Sequence, residues 1–139
     1  MYNAGIVRTF QIPQPFQKLT VLENLLTACR GNPGERFLKA LFKSVWISKE
    51  EDVADTAFKI LEILNLDHLW NRWSYELSGG QMKLLEAGRA IMSGAKMILM
   101  DEPASGIYPK LAHEVFSHLT DMKNEFGVTF LIIEHRLEL

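Results

Sequence analysis

The chain has 139 residues, 47% hydrophobic and 23% charged, the composition of one ordinary globular unit long enough to bury a core. Fifteen basic against seventeen acidic side chains leave a formal charge of -2, which argues against a nucleic-acid partner, because binding a phosphate backbone draws on a basic excess. The lone Cys29 excludes an internal disulfide and lacks the neighbours of a zinc site, and the longest apolar runs, Met97 to Met100 and Val128 to Ile133, fall far short of the ~20 residues of a spanning helix.

Met1 to Phe10 lacks the charged-then-apolar order of a signal peptide, so the chain is expected to be neither secreted nor membrane-spanning on its own. Gly5 to Phe10 is β-branched and aromatic and predicts a short strand leading to Gln11, stopped by Pro13 and Pro15. From Thr20 to about Gly94 the signals are helical. Thr20 and Glu23 form a capping-box pattern, in which each side chain satisfies a backbone donor of the other at a helix start, and the helix is expected to run to about Arg30 before Gly31-Asn32-Pro33-Gly34. After a short helix through Trp46, Ser48 and Glu51 repeat the pattern ahead of Val53, Ala57, Ile60, Leu61 and Leu64, which share one helical face.

Beyond Gly94 the rhythm becomes strand, helix, strand. Met97 to Met100 is an apolar run too short for a helix, which suits a parallel strand buried on both faces. Pro109 to Phe126 places Leu111, Val115, Leu119 and Met122 on one helical face, with Gly127 as the stop. Val128 to Ile133 is then a second buried strand, and the resulting βαβ unit implies a parallel sheet with a right-handed crossover.

Three strings can carry chemistry. In Leu77-Ser78-Gly79-Gly80-Gln81, Ser78 caps a helix, Gln81 closes a capping box, and two glycines leave the helix-start amides open to an anion such as phosphate. Read alone, such a string is more often just a polar cap on a Gly-Gly turn. Asp101 and Glu102 emerge together at the carboxyl end of a buried strand, the edge at which open α/β sheets place ligands. There one carboxylate can serve Mg2+ and the other can orient and deprotonate a water, unless the pair is only a solvated acidic turn. His135 ends the following strand and can hydrogen-bond a terminal phosphate. His68, His113 and His118 are read as surface groups.

Taken jointly, Leu77 to Gln81, Met97 to Glu102 and His135 resemble the signature motif, Walker B strand and switch histidine of ATP-binding-cassette ATPases, in that family's order and at about its spacing. Gln11 after Arg8-Thr9-Phe10 resembles the Q-loop glutamine, and Gly5 to Gln11 with Leu19 to Leu25 is similar to the ATPase subunits of branched-chain amino-acid importers. The resemblance covers nearly the whole chain. It implies an α/β, partial P-loop NTPase fold, an incomplete parallel sheet plus an α-helical subdomain. The divisions would be a core strand and Q-loop at 1–13, a helical signature subdomain at 14–95, and the Walker B, D-loop and H-loop part at 96–139.

The same resemblance implies ATP and Mg2+ as ligands. Gln11 would touch Mg2+ or the lytic water, Asp101 would serve Mg2+, Glu102 would be the general base and His135 would contact the γ-phosphate. Ser78, Gly79, Gly80 and Gln81 would act on ATP held by a second ATPase subunit in a head-to-tail dimer. The helical segment would meet a transmembrane permease subunit, which places the protein in the cytoplasm on the inner face of the membrane.

Two departures qualify this. No G-x-x-x-x-G-K-[ST] occurs, and Lys43-Ser44 has no glycine loop before it, so Asp101 and Glu102 face a polyanion without a phosphate cradle. This polypeptide alone is therefore expected to bind ATP weakly and not to hydrolyse it. Tyr108 stands where the family's D-loop commonly carries an aspartate, and packing is the expected role for its ring. The competing readings are a non-catalytic transporter-docking module and a chromosome-maintenance head, the latter disfavoured because sustained heptads are absent. The edges of a partial sheet are expected to invite association.

Overall fold

A computed structural model describes residues 5–9, 13–29 and 43–135. Its sheet has the strands β1 (Ile6–Arg8), β2 (Met97–Asp101) and β3 (Thr129–Ile133), parallel and in that spatial order. The register pairs Val7 with Ile98 and Ile98 with Phe130, and continues to Asp101 opposite Ile133. The helices are α1 (Val21–Leu26), α2 (Lys43–Ile63), α3 (Gly79–Met92) and α4 (Pro109–Phe126), the last forming the crossover from β2 to β3.

Local signals act as expected at most helix ends. Thr20 and Glu23 form the reciprocal capping box of α1, although the helix stops at Leu26 rather than near Arg30. Residues 30–34, like Phe10 and Gln11, lie outside the described residues. Pro109 opens α4 and Gly127, at φ 63°, closes it in the left-handed conformation that glycine adopts without a Cβ penalty. No helix starts at the Ser48–Glu51 pattern. Lys43–Ile63 is one continuous helix, because no glycine or proline interrupts it and a serine is tolerated within a helix.

The core is assembled mainly by helices. Val21 and Leu25 of α1, Ala57, Ile60 and Leu61 of α2, Leu64 just beyond it, and Leu84, Leu85 and Ala87 of α3 are buried together. On α4 the buried stripe is Ala112, Val115, Leu119 and Met122, whereas Leu111 is exposed beside a cavity rather than buried as expected. His118 is not a surface group. Its ring is half-buried and its Nδ1 lies 2.7 Å from the carbonyl oxygen of Ile63, tying α4 to the end of α2.

The strands are covered on one face, not two. Ile98 and Met100 are buried, with Val7, Phe130 and Ile132 packed against the core, while Leu131 and Ile133 are 52% and 56% exposed. Alternate residues of a strand point to opposite faces, so the expectation of full burial fails where no described element lies over the second face.

Candidate functional site

The carboxyl end of β2 is the chemically richest edge. Asp101 is the last residue of the strand, and Glu102 follows in the left-handed region at φ 49°, an uncommon conformation for a side chain other than glycine, asparagine or aspartate. Several contacts hold it there. The Glu102 amide donates to the Ile133 carbonyl at 2.8 Å, carrying the β2–β3 pairing one step further. The Glu102 carbonyl accepts from the Ser105 amide at 3.0 Å and from the Lys83 ammonium at 3.0 Å. Pro103 and Ala104 behind it are buried.

Both carboxylates are half-buried, and neither points into an apolar interior. Asp101 Oδ2 meets Arg8 Nη2 at 3.2 Å, joining the ends of two neighbouring strands. Glu102 Oε1 lies 3.2 Å from His135 Nε2, and that imidazole is 80% exposed. Asp101, Glu102 and His135, singled out separately in the sequence, thus stand at one sheet edge, each acid already meeting a basic side chain.

The start of α3 adjoins the same loop. Ser78 Oγ accepts from the Gln81 amide at 3.3 Å and Gln81 Oε1 accepts from the Ser78 amide at 2.9 Å, so the expected capping box is present. Gly79 is exposed. A Cβ at Gly79 would meet only Ile107 Cγ2 at 3.9 Å, and one at Gly80 would meet Val115 Cγ2 at 3.7 Å, both ordinary contacts. Neither glycine has positive φ. Nothing among the described residues therefore requires glycine at these positions; Gly79 leaves the first turn bare, where amides lack intrahelical acceptors and the dipole favours an anion, whereas Gly80 is buried, so the expected opening at both glycines holds at Gly79 alone.

Two functional candidates escaped the sequence reading. Lys83 of α3 is buried, with its Nζ donating to the carbonyls of Glu102 at 3.0 Å and Ser105 at 2.6 Å. Burial lowers its pKa from the ordinary lysine value, and the nearby Glu134 and Glu102 carboxylates oppose that shift. Glu134 accepts from the Ala104 amide at 3.2 Å and from the His135 amide at 3.3 Å, bracing both sides of the edge. A lysine four residues beyond Gly79 in an otherwise apolar stretch was the available signal for the first. Glu134 carried none.

Gln11 lies outside the described residues. The segment after it is pinned to α3: the Gln14 amide donates to Glu86 Oε1 at 2.8 Å, and the Arg89 guanidinium sits 4.8 Å from the centre of the Phe16 ring. Burial raises the Glu86 pKa, while the Gln14 amide and Arg89 pull it down. Tyr108, expected to pack, is instead 80% exposed at the start of α4.

Among the described residues no group of three His, Cys, Asp or Glu could enclose a metal. A single carboxylate such as that of Asp101 is compatible with Mg2+, which keeps waters and takes further ligands from substrate phosphates. Among the described residues no helix is long and apolar enough to cross a membrane.

Comparison with known proteins gives the family and the fold. A profile described as ABC transporter matches residues 1–105. The probable branched-chain amino acid transport ATP-binding protein LivG of Methanocaldococcus jannaschii is 58% identical over 139 residues, covering 100% of this chain and 53% of that protein. The LivG protein of Archaeoglobus fulgidus is 53% identical over 138 residues, covering 97% of this chain and 51% of its own length. Among solved structures, the ADP conformation of an ATP-binding cassette of an ABC transporter superposes with a TM-score of 0.72 at 53% identity, over 99% of this chain and 53% of that one. The chain thus spans about half the length of the relatives it matches, and its small parallel sheet with flanking helices matches part of the cassette fold.

Proposed function

Because this chain belongs to the ABC transporter family, we propose that it supplies the helical and acid-bearing part of an importer ATPase whose hydrolysis of ATP drives solute uptake. The observation that carries this reading is the single edge at which Asp101, Glu102 and His135 stand, with the glycine-bearing start of α3 on the adjoining loop. The relatives named for branched-chain amino acid transport support that solute class.

In this reading Glu102 is the general base. Its carboxylate accepts the proton of the attacking water, and His135, whose Nε2 lies 3.2 Å from that carboxylate, contacts the terminal phosphate. A positioned base of this kind contributes roughly 10²- to 10⁴-fold to a rate. Asp101, together with Gln11, would hold Mg2+, which neutralises charge on the phosphate oxygens when bound. Arg8 then exchanges its partner, which costs little because its side chain is largely exposed.

Ser78, Gly79, Gly80 and Gln81 present their helix start to ATP held by a second ATPase subunit in a head-to-tail dimer. Gln11 senses Mg2+ or the lytic water. The helical segment at 14–95 docks on a transmembrane permease, with the strand segments at 1–13 and 96–139 forming the nucleotide-facing part, on the cytoplasmic face of the membrane.

The test is hydrolysis by the assembly that contains this chain. Glu102→Gln is expected to reduce turnover by at least roughly 100-fold while leaving nucleotide binding in place. Unchanged turnover would overturn the reading and favour a non-catalytic docking module instead.

A further inference from the structure

Lys83 occupies an unusual position for an ammonium group. It is 8% exposed, its Nζ spends two hydrogen bonds on main-chain carbonyls, and those carbonyls bracket the turn that begins at Glu102. A lysine used only to fill space would snorkel its charge to water. Here the charge is directed at a loop whose first residue has strained φ, and left-handed backbone at a side-chain-bearing residue persists only where surrounding contacts over-determine it.

The same loop touches α3 a second time. The Ile107 side chain sits over the start of α3, where a Cβ built on Gly79 or Gly80 would lie 3.9 Å from its Cγ2, one helical turn before Lys83 on the same face. The helix start and the acid are therefore joined through loop 102–107 at two points, one apolar and one charged. The Glu102 carbonyl accepts from both Lys83 and Ser105, and its amide is committed to Ile133, so the main chain on both sides of its Cα is fixed.

We propose that Lys83 is a positioning residue: it holds the Glu102 main chain in the conformation that aims the carboxylate at His135, and it passes any movement of the α3 start to that carboxylate. The kinetic half of this proposal rests on the ATPase reading above.

The first arm uses the 139-residue chain itself. Lys83→Met is expected to raise amide exchange at Ser105 and Ile107 by about tenfold, while exchange in α1 and α2 stays as in the wild type. Lys83→Arg, which keeps the donors, restores protection. Uniformly raised exchange, or none, overturns the proposal. Should the Met substitution unfold the chain, Lys83→Gln carries the same test.

The second arm uses the hydrolysing assembly. Lys83→Met is expected to lower kcat about tenfold with KM for MgATP nearly unchanged, since a mispositioned base weakens the transition state and not substrate binding. Wild-type kcat in Lys83→Met beside an inactive Glu102→Gln sinks the role of Lys83 alone. An active Glu102→Gln sinks the ATPase reading, whatever Lys83→Met does.

Discussion

Gly88 of α3 packs where Ile60 of α2 leaves no room for a side chain: a Cβ on Gly88 would lie 2.9 Å from Ile60 Cγ2, with Leu25 Cδ2 at 3.1 Å and Leu64 Cδ1 at 3.2 Å. All three neighbours are essentially inaccessible to solvent, so none can swing aside. Gly88→Ala gains helix propensity of up to ~1 kcal/mol yet overfills this crossing. We expect a net loss of about 1–2 kcal/mol, set by the cost of overpacking, read as a lower denaturant midpoint at unchanged slope.

Asn24 is fully buried and organises the turn ahead of α1. Its Oδ1 accepts from the Phe16 amide at 2.8 Å, and its Nδ2 lies within 3.3 Å of the carbonyls of Phe16, Leu19 and Thr20. Asn24→Ala strands these groups, and we expect a cost of about 2–3 kcal/mol, the penalty for unsatisfied buried polar atoms. Asn24→Asp keeps the acceptor but sets a carboxylate against carbonyl oxygens, so it should be at least as damaging. Chemical denaturation of both variants checks the order.

The Thr20–Glu23 capping box has an acid-side signature. The Thr20 amide, then the Thr20 hydroxyl, hold the Glu23 pKa below its ordinary 4.5. A carboxylate whose folded value lies below its unfolded one contributes stability that is present above the unfolded value and lost as pH falls through the folded one. The stability of the wild type and of Glu23→Gln should therefore differ near neutrality and converge below pH 4.5. A pH series of thermal melts measures this, and because Glu23 is exposed the difference is small.

The 139-residue polypeptide by itself should bind MgATP weakly, since its sequence holds two adjacent carboxylates and no glycine-rich phosphate cradle. Calorimetric titration is expected to show no micromolar site. Saturable micromolar binding with turnover lost in Glu102→Gln would contradict this.

Much was legible along the chain because local rules governed it. The capping residues Thr20, Glu23, Ser78 and Gln81 satisfy donors within a single turn, and Pro109 and Gly127 act through their own dihedral preferences. Where a local signal had two outcomes, continuity decided: Ser48 sits inside α2 because nothing breaks the helix. Leu131 and Ile133 read as core because hydrophobicity is visible in a sequence and the presence of a covering element is not. His118 read as surface because its carbonyl partner, Ile63, is far away along the chain.

The order of residues determined which candidate groups the protein carries: a capped glycine pair, adjacent acids after an apolar strand, and a histidine after the next. Only tertiary structure decided how they meet, since the parallel register that sets Asp101 opposite Ile133 brings Glu102 to His135, and the packing of α3 beneath the turn turns Lys83 onto two carbonyls. Those contacts join positions distant in sequence, and distance in sequence is what folding removes.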